Sequence, residues 1–284
     1  MKFTYYPGCS LKGTAKDYAE SIAGICGFLG IELDEIPDWN CCGATAAHSI
    51  DRQASVALAA RTLTLAAKMP HPEMLVPCPM CFNRLKTAAY ALQQDQNNRH
   101  EITLPASVPT LWDLANFFAT EKMLNDVVQK IQKPLKGLKV VCYYGCMANR
   151  PPEVTGASDP EDPQALDRIV TNLGGTAIPW PYKTDCCGAS QALSLGNIEV
   201  RLVEKLVDMA RRVGAQAIVV SCQMCQANLD MHPVRSSRNS KKSRPLPVYY
   251  FTELIGLALG LKGVPQQLSR HITDPRPLLR ELGF

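Results

Sequence analysis

The feature that most constrains this chain is an internal repeat that covers most of its 284 residues. Each half contains, in the same order, a β-prone run ending at Gly-Cys, a Cys-Cys-Gly-Ala motif, a β-prone run ending at Cys-x-x-Cys, and a strand-like run followed by an apolar helix. The paired segments are KFTYYPGC and KVVCYYGC, NCCGA and DCCGA, MLVPCPMC and IVVSCQMC, and VPTLWDLANFF and LPVYYFTELIGLAL. A repeat of this extent indicates a duplicated folding unit.

Strand-like and helical patterns alternate within each repeat. Between the paired motifs lie amphipathic stretches with apolar residues at three- and four-residue spacing. This alternation predicts an α/β fold made of two pseudo-symmetric repeated domains, each a small, mostly parallel sheet flanked by helices. The boundary is expected in QKIQKPLKG, which gives domains 1–133 and 134–284. Ligands of such sheets gather at the carboxyl ends of the strands, where Cys9, Cys78, Cys146 and Cys222 are expected.

The cellular compartment decides how the twelve cysteines are interpreted. The longest apolar run, 248–261, is too short to span a bilayer and contains Glu253. The N-terminus has no apolar core typical of a signal peptide, so we expect a cytoplasmic protein without membrane insertion. In a reducing cytoplasm, cysteines indicate metal binding or redox chemistry more than disulfide bonds. The net charge of +4 gives no reason to expect a nucleic-acid partner.

Each half supplies five cysteines in matching order, and two further cysteines stand apart. A sulfur-only site suits zinc or an iron–sulfur cluster. Zinc would leave one thiol idle, whereas a cluster less regular than a four-ligand cube can use all five, and metal-free catalytic dithiols are the third alternative. Cys26 and Cys142 are predicted to be buried small apolar residues. The first set is Cys9, Cys41, Cys42, Cys78 and Cys81, and the second set is Cys146, Cys186, Cys187, Cys222 and Cys225.

This doubled cysteine pattern resembles the cysteine-rich (CCG) domain family, and within it the B subunit of heterodisulfide reductase. The segment 150–170 (RPPEVTGASDPEDPQALDRIV) and the tail 274–279 (DPRPLL) favour the narrower choice. The resemblance implies an oxidoreductase acting on sulfur groups, with one non-cubane [4Fe-4S] cluster on the first set and one on the second set. It also implies a complex with an electron-carrying iron–sulfur subunit and a flavin subunit, the C-type and A-type components of such complexes.

The functional hypothesis is that two clusters facing one cavity act on a thiol, disulfide or persulfide, which a small molecule or a sulfur-carrier protein delivers. The preferred setting is sulfur oxidation; the alternatives are reduction of the coenzyme M–coenzyme B heterodisulfide in a methanogen and a non-catalytic electron-transfer subunit. His48 and His232 are candidate proton donors. Gln226 stands where many relatives have histidine, and Ser158–Pro163 are expected to cover the substrate entrance.

Overall fold

Each half of the chain folds around its own four-stranded sheet. The computed structural model describes residues 1–44, 46–94, 102, 105, 107–192, 194–235 and 245–284. Both sheets are entirely parallel, and both follow the same strand order, β2-β1-β3-β4 and β6-β5-β7-β8, which confirms the predicted α/β fold with two similar halves. The strands are β1 (Lys2–Tyr5), β2 (Glu32–Glu35), β3 (Glu73–Val76), β4 (Thr110–Asp113), β5 (Lys139–Tyr143), β6 (Thr176–Ala177), β7 (Ala217–Val220) and β8 (Val248–Tyr250).

Helices connect the strands and cover the sheets, as the apolar spacing predicts. In the first half they are α1 (Gly8–Lys12), α2 (Lys16–Leu29), α3 (Ala46–Ile50), α4 (Arg52–Ala66), α5 (Pro79–Gln93), α6 (Leu114–Phe118) and α7 (Glu121–Val128). In the second half they are α8 (Pro152–Thr155), α9 (Ala165–Asn172), α10 (Gly196–Arg212), α11 (Gln223–Asp230), α12 (His232–Arg235), α13 (Phe251–Ala258), α14 (Val264–Leu268) and α15 (Arg276–Glu281), with a short 3-10 turn at Ala189–Gln191.

Local sequence signals set several of these helix boundaries. Asp51 caps α4 by accepting hydrogen bonds from the N–H groups of Gln53 and Ala54 at 2.8 and 3.0 Å, and Thr120 caps α7 in the same way. The apolar run 248–261 forms β8 followed by the buried helix α13. In the part of the chain that the structure describes, no helix is long and apolar enough to cross a membrane.

The two halves pack closely on each other through α2 and α13. The rings of Tyr18 and Tyr250 stack with centroids 4.2 Å apart and planes 6° apart, and the hydroxyls of Ser21 and Thr252 are hydrogen-bonded at 2.6 Å. One apolar core contains side chains from both sheets. The predicted boundary after residue 133 stays a prediction, because the connecting segment is itself held by the second half through hydrogen bonds to the Ala258 carbonyl.

A buried ionic cluster also joins the halves. His271 Nε2 lies 2.9 Å from Glu253 Oε1 and 3.6 Å from Asp17 Oδ2, and the side chains of His271 and Glu253 are fully buried. Burial by itself would lower the pKa of His271, but attraction to Glu253, Asp230 and Asp17 outweighs it and raises that pKa to about 9. The folded protein therefore holds this proton more tightly than the unfolded chain does.

We expect the stability of the protein to fall as the pH rises through the pKa of His271. A raised folded-state pKa contributes stability that is fully present below the unfolded value of about 6.5 and is lost by the time the pH exceeds about 9. The loss should be on the order of 3 kcal/mol in the free energy of unfolding.

Urea unfolding of the wild type and of His271→Gln between pH 6 and 10 measures this loss. The variant should be less stable at pH 6 and should lose less stability than the wild type across this range, while the exposed-site control His48→Gln should follow the wild type. A parallel decline in the wild type and in His271→Gln would contradict the assignment.

Candidate metal centres

A glycine with a left-handed backbone precedes the first cysteine of each set. Gly8 has φ of 73° and Gly145 has φ of 65°, a region that side-chain-bearing residues rarely adopt. A Cβ atom on Gly8 would lie 2.8 Å from Cys81 Sγ, and one on Gly145 would lie 3.2 Å from Cys225 Sγ. Glycine therefore lets the backbone after β1 and β5 approach the Cys-x-x-Cys sulfurs closely.

Each Cys-x-x-Cys motif opens a helix directly after a strand. Cys78 is the N-cap of α5 and its sulfur accepts a hydrogen bond from Cys81 N–H at 3.5 Å, while Cys222 is the N-cap of α11. A helix N-terminus favours negative charge, so it stabilises thiolates at these positions. Both motifs lie at the carboxyl end of their sheet, as the sequence predicts.

Pairs of cysteines within each set lie in contact with each other. In the first set, the Sγ atoms of Cys9 and Cys41 are 3.7 Å apart and those of Cys42 and Cys81 are 3.4 Å apart. In the second set, Cys187 Sγ lies 3.7 Å from Cys225 Sγ. These separations exclude disulfide bonds, whose sulfurs lie about 2.05 Å apart, and all twelve cysteines are free.

Several of these thiols favour the thiolate form. A hydrogen bond from Cys81, assisted by the charge of Arg84, lowers the pKa of Cys42 to about 7. A hydrogen bond from Cys146, together with one from the Gly188 N–H at 3.3 Å, lowers the pKa of Cys186 to about 6. Since the thiolate is the form that binds metals, each half has a sulfur ready to coordinate near neutral pH.

The Cys-Cys-Gly loops are held by matching tyrosines. Tyr6 donates a hydrogen bond to the Asn40 carbonyl at 2.8 Å, and Tyr143, at the equivalent position of the second half, donates to the Asp185 carbonyl at 2.6 Å. The glycines that follow the cysteine pairs, Gly43 and Gly188, have φ of 79° and 78°. The duplication therefore extends to individual hydrogen bonds around the cysteines.

A cavity of about 510 Å³ lies between the halves and exposes the second set. All five cysteines of that set line it, together with Tyr143, Tyr144 and two methionines, Met147 and Met224. The first half contributes part of α3 and the first turns of α5. The first-half residues on its wall are Ala46, His48, Ser49, Ile50, Pro79, Met80 and Arg84.

The first set does not share this cavity. None of its cysteines is among the described residues that line it, and Cys9 and Cys41 are exposed to solvent elsewhere. The expectation that both sets face one cavity is therefore not what the described residues show. The sets are nevertheless neighbours, because the buried Gln223, next to Cys222, joins Cys81 in lowering the pKa of Cys78.

The two candidate proton donors lie in different places. His48 is on α3 at the wall of the cavity, with Nδ1 3.2 Å from the Ala44 carbonyl oxygen. His232 is buried beside α10, is not among the described lining residues, and burial lowers its pKa. Ser158–Pro163, expected to cover the substrate entrance, instead contribute to a second cavity of about 350 Å³. This placement gives no support for a lid over the cysteine cavity.

The residues present fit a sulfur-ligated metal group. Each half gathers five thiols, which is a donor set for zinc or iron–sulfur and not for magnesium or calcium. The close approach permitted by Gly8 keeps side-chain bulk away from the sulfurs of the first set. Cys26 and Cys142 lie away from both sets and are buried, 1% and 0% exposed, as predicted for small apolar residues.

Sequence reasoning missed two residues at this site. Arg84 lines the cavity and affects Cys42, and Gln223 links the two sets. Their positions in the sequence could have identified both residues as neighbours of the cysteines. Arg84 follows Cys81 by one helical turn, and Gln223 lies inside the second Cys-x-x-Cys. What the sequence could not supply was the packing of the two halves, which brings these side chains to the other set.

Comparison with known proteins supports the repeat. The sequence matches the Cysteine-rich domain (CCG) family twice, at residues 3–86 and 140–230, and each range contains one complete set. Among curated relatives, the chain is similar to an 8-methylmenaquinol:fumarate reductase membrane anchor subunit of Wolinella succinogenes, at 29% identity over 98% of this chain and 99% of the relative.

Other relatives carry heterodisulfide reductase names. The B subunit of the ferredoxin:CoB-CoM heterodisulfide reductase of Methanosarcina mazei is 26% identical over 85% of this chain and 83% of its own length. An Archaeoglobus profundus protein, named as similar to the B subunit of heterodisulfide reductase, is 24% identical over 97% of this chain and 96% of its own length.

A solved structure supports the fold. The crystal structure of a hypothetical protein from Helicobacter pylori superposes with a TM-score of 0.71 at 10% identity, covering 96% of this chain and 52% of that one. At that identity the likeness concerns the fold alone, and this chain spans about half of the longer protein.

Proposed function

The chain belongs to the cysteine-rich domain (CCG) family, and from this we propose that it is the iron–sulfur catalytic subunit of a heterodisulfide-reductase-type complex. Its first and second cysteine sets would each hold a non-cubane [4Fe-4S] cluster, and sulfur chemistry would take place at the second set. The observation that carries the proposal is the cavity of about 510 Å³ whose wall contains all five second-set cysteines. A closed structural site would not need such an opening.

The proposed reaction is two-electron chemistry at sulfur. Cleavage of a disulfide consumes two electrons and two protons and gives two thiols, and the reverse joins two thiols. A cluster on the second set would supply electrons for cleavage or accept them in the oxidative direction, and it would offer an iron position for one substrate sulfur. We place the reaction in sulfur oxidation, on a persulfide or thiol of a small molecule or carrier protein. Electrons would pass to an electron-carrying iron–sulfur protein of the C type and a flavin protein of the A type in the same complex.

The residues of the chain have assignable tasks in this proposal. Tyr143, fixed by its hydrogen bond to Asp185, and the two methionines form a wall that orients an apolar thiol chain. His48 is the candidate that holds and returns a proton, because contact of Nδ1 with the Ala44 carbonyl leaves Nε2 available for exchange. Gln223, between Cys222 and Cys78, supports communication between the two sets.

A second candidate function rests on the relative from Wolinella succinogenes. Its similarity extends over nearly the full length of both chains, and its name assigns it to a quinol:fumarate reductase. In that case both sets would relay electrons without touching a sulfur substrate. Reduction of the coenzyme M–coenzyme B heterodisulfide, which the Methanosarcina mazei name describes, is the other sulfur chemistry that fits.

Adding a thiol to the oxidised, cluster-loaded protein distinguishes these functions. We expect 2-mercaptoethanol to change the EPR spectrum of the protein in a saturable manner, because a thiol that enters the cavity meets the second set directly. The same titration with ethanol, which has a hydroxyl but no thiol, serves as the control. A spectrum that stays constant at saturating thiol, in protein with full iron content, would favour the electron-relay function.

A further inference from the structure

Arg84 is the one permanently charged side chain among the described residues that line the cysteine cavity. The wall is otherwise made of thiols, thioethers, hydroxyls, a glutamine, His48 and apolar groups, and it contains no described carboxylate. Arginine remains protonated in proteins at any physiological pH. The cavity therefore has one fixed positive charge, and its described wall offers no carboxylate to pair with it.

Arg84 has a partly buried guanidinium without a carboxylate partner, whereas several other arginines in the described part of the chain are paired. Arg61, Arg150, Arg270 and Arg276 each form an ion pair with a carboxylate. Arg84 forms none with any carboxylate in the described part of the chain, and its buried Nε atom has no hydrogen-bond partner there. Burial lowers the pKa of its guanidinium, and the nearby charge of Cys42 partly offsets this effect.

The repeat shows that a cation is not needed to build this part of the fold. Arg84 is the third residue after Cys81, and the equivalent residue after Cys225 is Asn228. Asn228 is buried and donates a hydrogen bond to the Cys187 carbonyl at 2.8 Å, so it supports its own Cys-Cys-Gly loop. The first half forms the matching loop with arginine instead, and that arginine reaches the cavity of the second set.

We propose that Arg84 is the specificity-determining residue that binds a carboxylate or a similar oxyanion carried by the thiol or disulfide substrate. The guanidinium presents two parallel N–H donors to such a group. An anion bound at Arg84 would leave the sulfur end of a short molecule within the part of the cavity lined by the second set. This inference rests on the proposed function, because it assumes that a sulfur compound enters the cavity.

The test compares three thiols of similar size and different charge. These are 3-mercaptopropionate, 2-mercaptoethanol and cysteamine, each titrated into cluster-loaded, anaerobic protein while the EPR and visible spectra are followed. The wild type should bind 3-mercaptopropionate about 10- to 100-fold more tightly than 2-mercaptoethanol, and cysteamine least tightly. Arg84→Gln should remove this preference and leave the affinity for 2-mercaptoethanol within about twofold.

Two further variants keep the result interpretable. Arg84→Lys retains the charge and should recover part of the preference for the anionic thiol. Lys86→Gln removes a cation from the same helix that lines the second cavity instead, and it should bind all three thiols like the wild type. Iron content is measured for every variant, so that loss of a cluster is not mistaken for loss of binding.

The possible failures differ from one another. If the wild type binds 2-mercaptoethanol but does not prefer the anionic thiol, the role of Arg84 is wrong and the proposed function stands. If Arg84→Gln alters the spectrum of the first site and leaves all thiol affinities unchanged, Arg84 serves the first cluster and the inference is also wrong. If no thiol changes any spectrum of the iron-loaded wild type, both the inference and the proposed function fail.

Discussion

Protein purified under anaerobic conditions is expected to contain about eight iron atoms and about eight acid-labile sulfides per chain, as two four-iron clusters require. Each half gathers five free thiols at the end of its sheet, and contacts between sulfurs of 3.4–3.7 Å join members of each set. A single zinc ion would use four of the five. Elemental analysis and a sulfide assay on the same sample measure both numbers.

Variants that empty one half sharpen this test. Cys42→Ala combined with Cys81→Ala removes a sulfur pair that lies 3.4 Å apart in the first set and should reduce the iron to about four atoms. Cys26→Ala, which changes a buried cysteine outside both sets, should retain about eight. Stoichiometric zinc without iron would contradict the cluster assignment and favour two structural zinc sites.

The sequence was sufficient to predict the fold because the repeat is encoded locally. Strand runs that end at Gly-Cys or at Cys-x-x-Cys fix the start of a loop or a helix, and Gly8 and Gly145 mark positions where only glycine allows the close approach. Parallel strands bring such ends to one edge of each sheet. These signals in the sequence are enough to say which five cysteines belong to each set.

The arrangement of the site across the two halves was not predictable in the same way. It depends on how α2 packs against α13 and how α5 packs against the loop after β5, where Asn83 donates hydrogen bonds to the carbonyls of Met147 and Arg150 at 2.9 and 2.8 Å. No short motif encodes that packing. As a result, His48 and Arg84 belong to the first half by sequence but line the cavity of the second set.

This packing makes the two sets unequal although their sequences match. The second set opens into a large cavity, whereas no cysteine of the first set is among the described residues of its wall. Tyr18 and Tyr250 stack between α2 and the second sheet, so the two halves are in direct contact beside the cysteine sets. We infer that the second set meets the substrate and that the first set exchanges electrons with it.

Replacing Cys186 by alanine is expected to abolish the response to thiols, and replacing the equivalent Cys41 is not. Cys186 lines the cavity and favours the thiolate, since its pKa is lowered to about 6, whereas Cys41 is exposed outside the described cavity wall. Cys186→Ala should therefore remove the thiol-induced EPR change and reduce turnover more than about 100-fold. This loss would exceed the one expected from changing a residue that only supports a metal ligand. Cys41→Ala should disturb the first-site spectrum and slow electron delivery, but the second-site spectrum should still respond to 2-mercaptoethanol.

Both variants are compared at equal second-site iron content. Equal loss of the thiol response in the two variants would mean that the substrate needs both sets at once, and the division of roles drawn from the cavity would then be wrong.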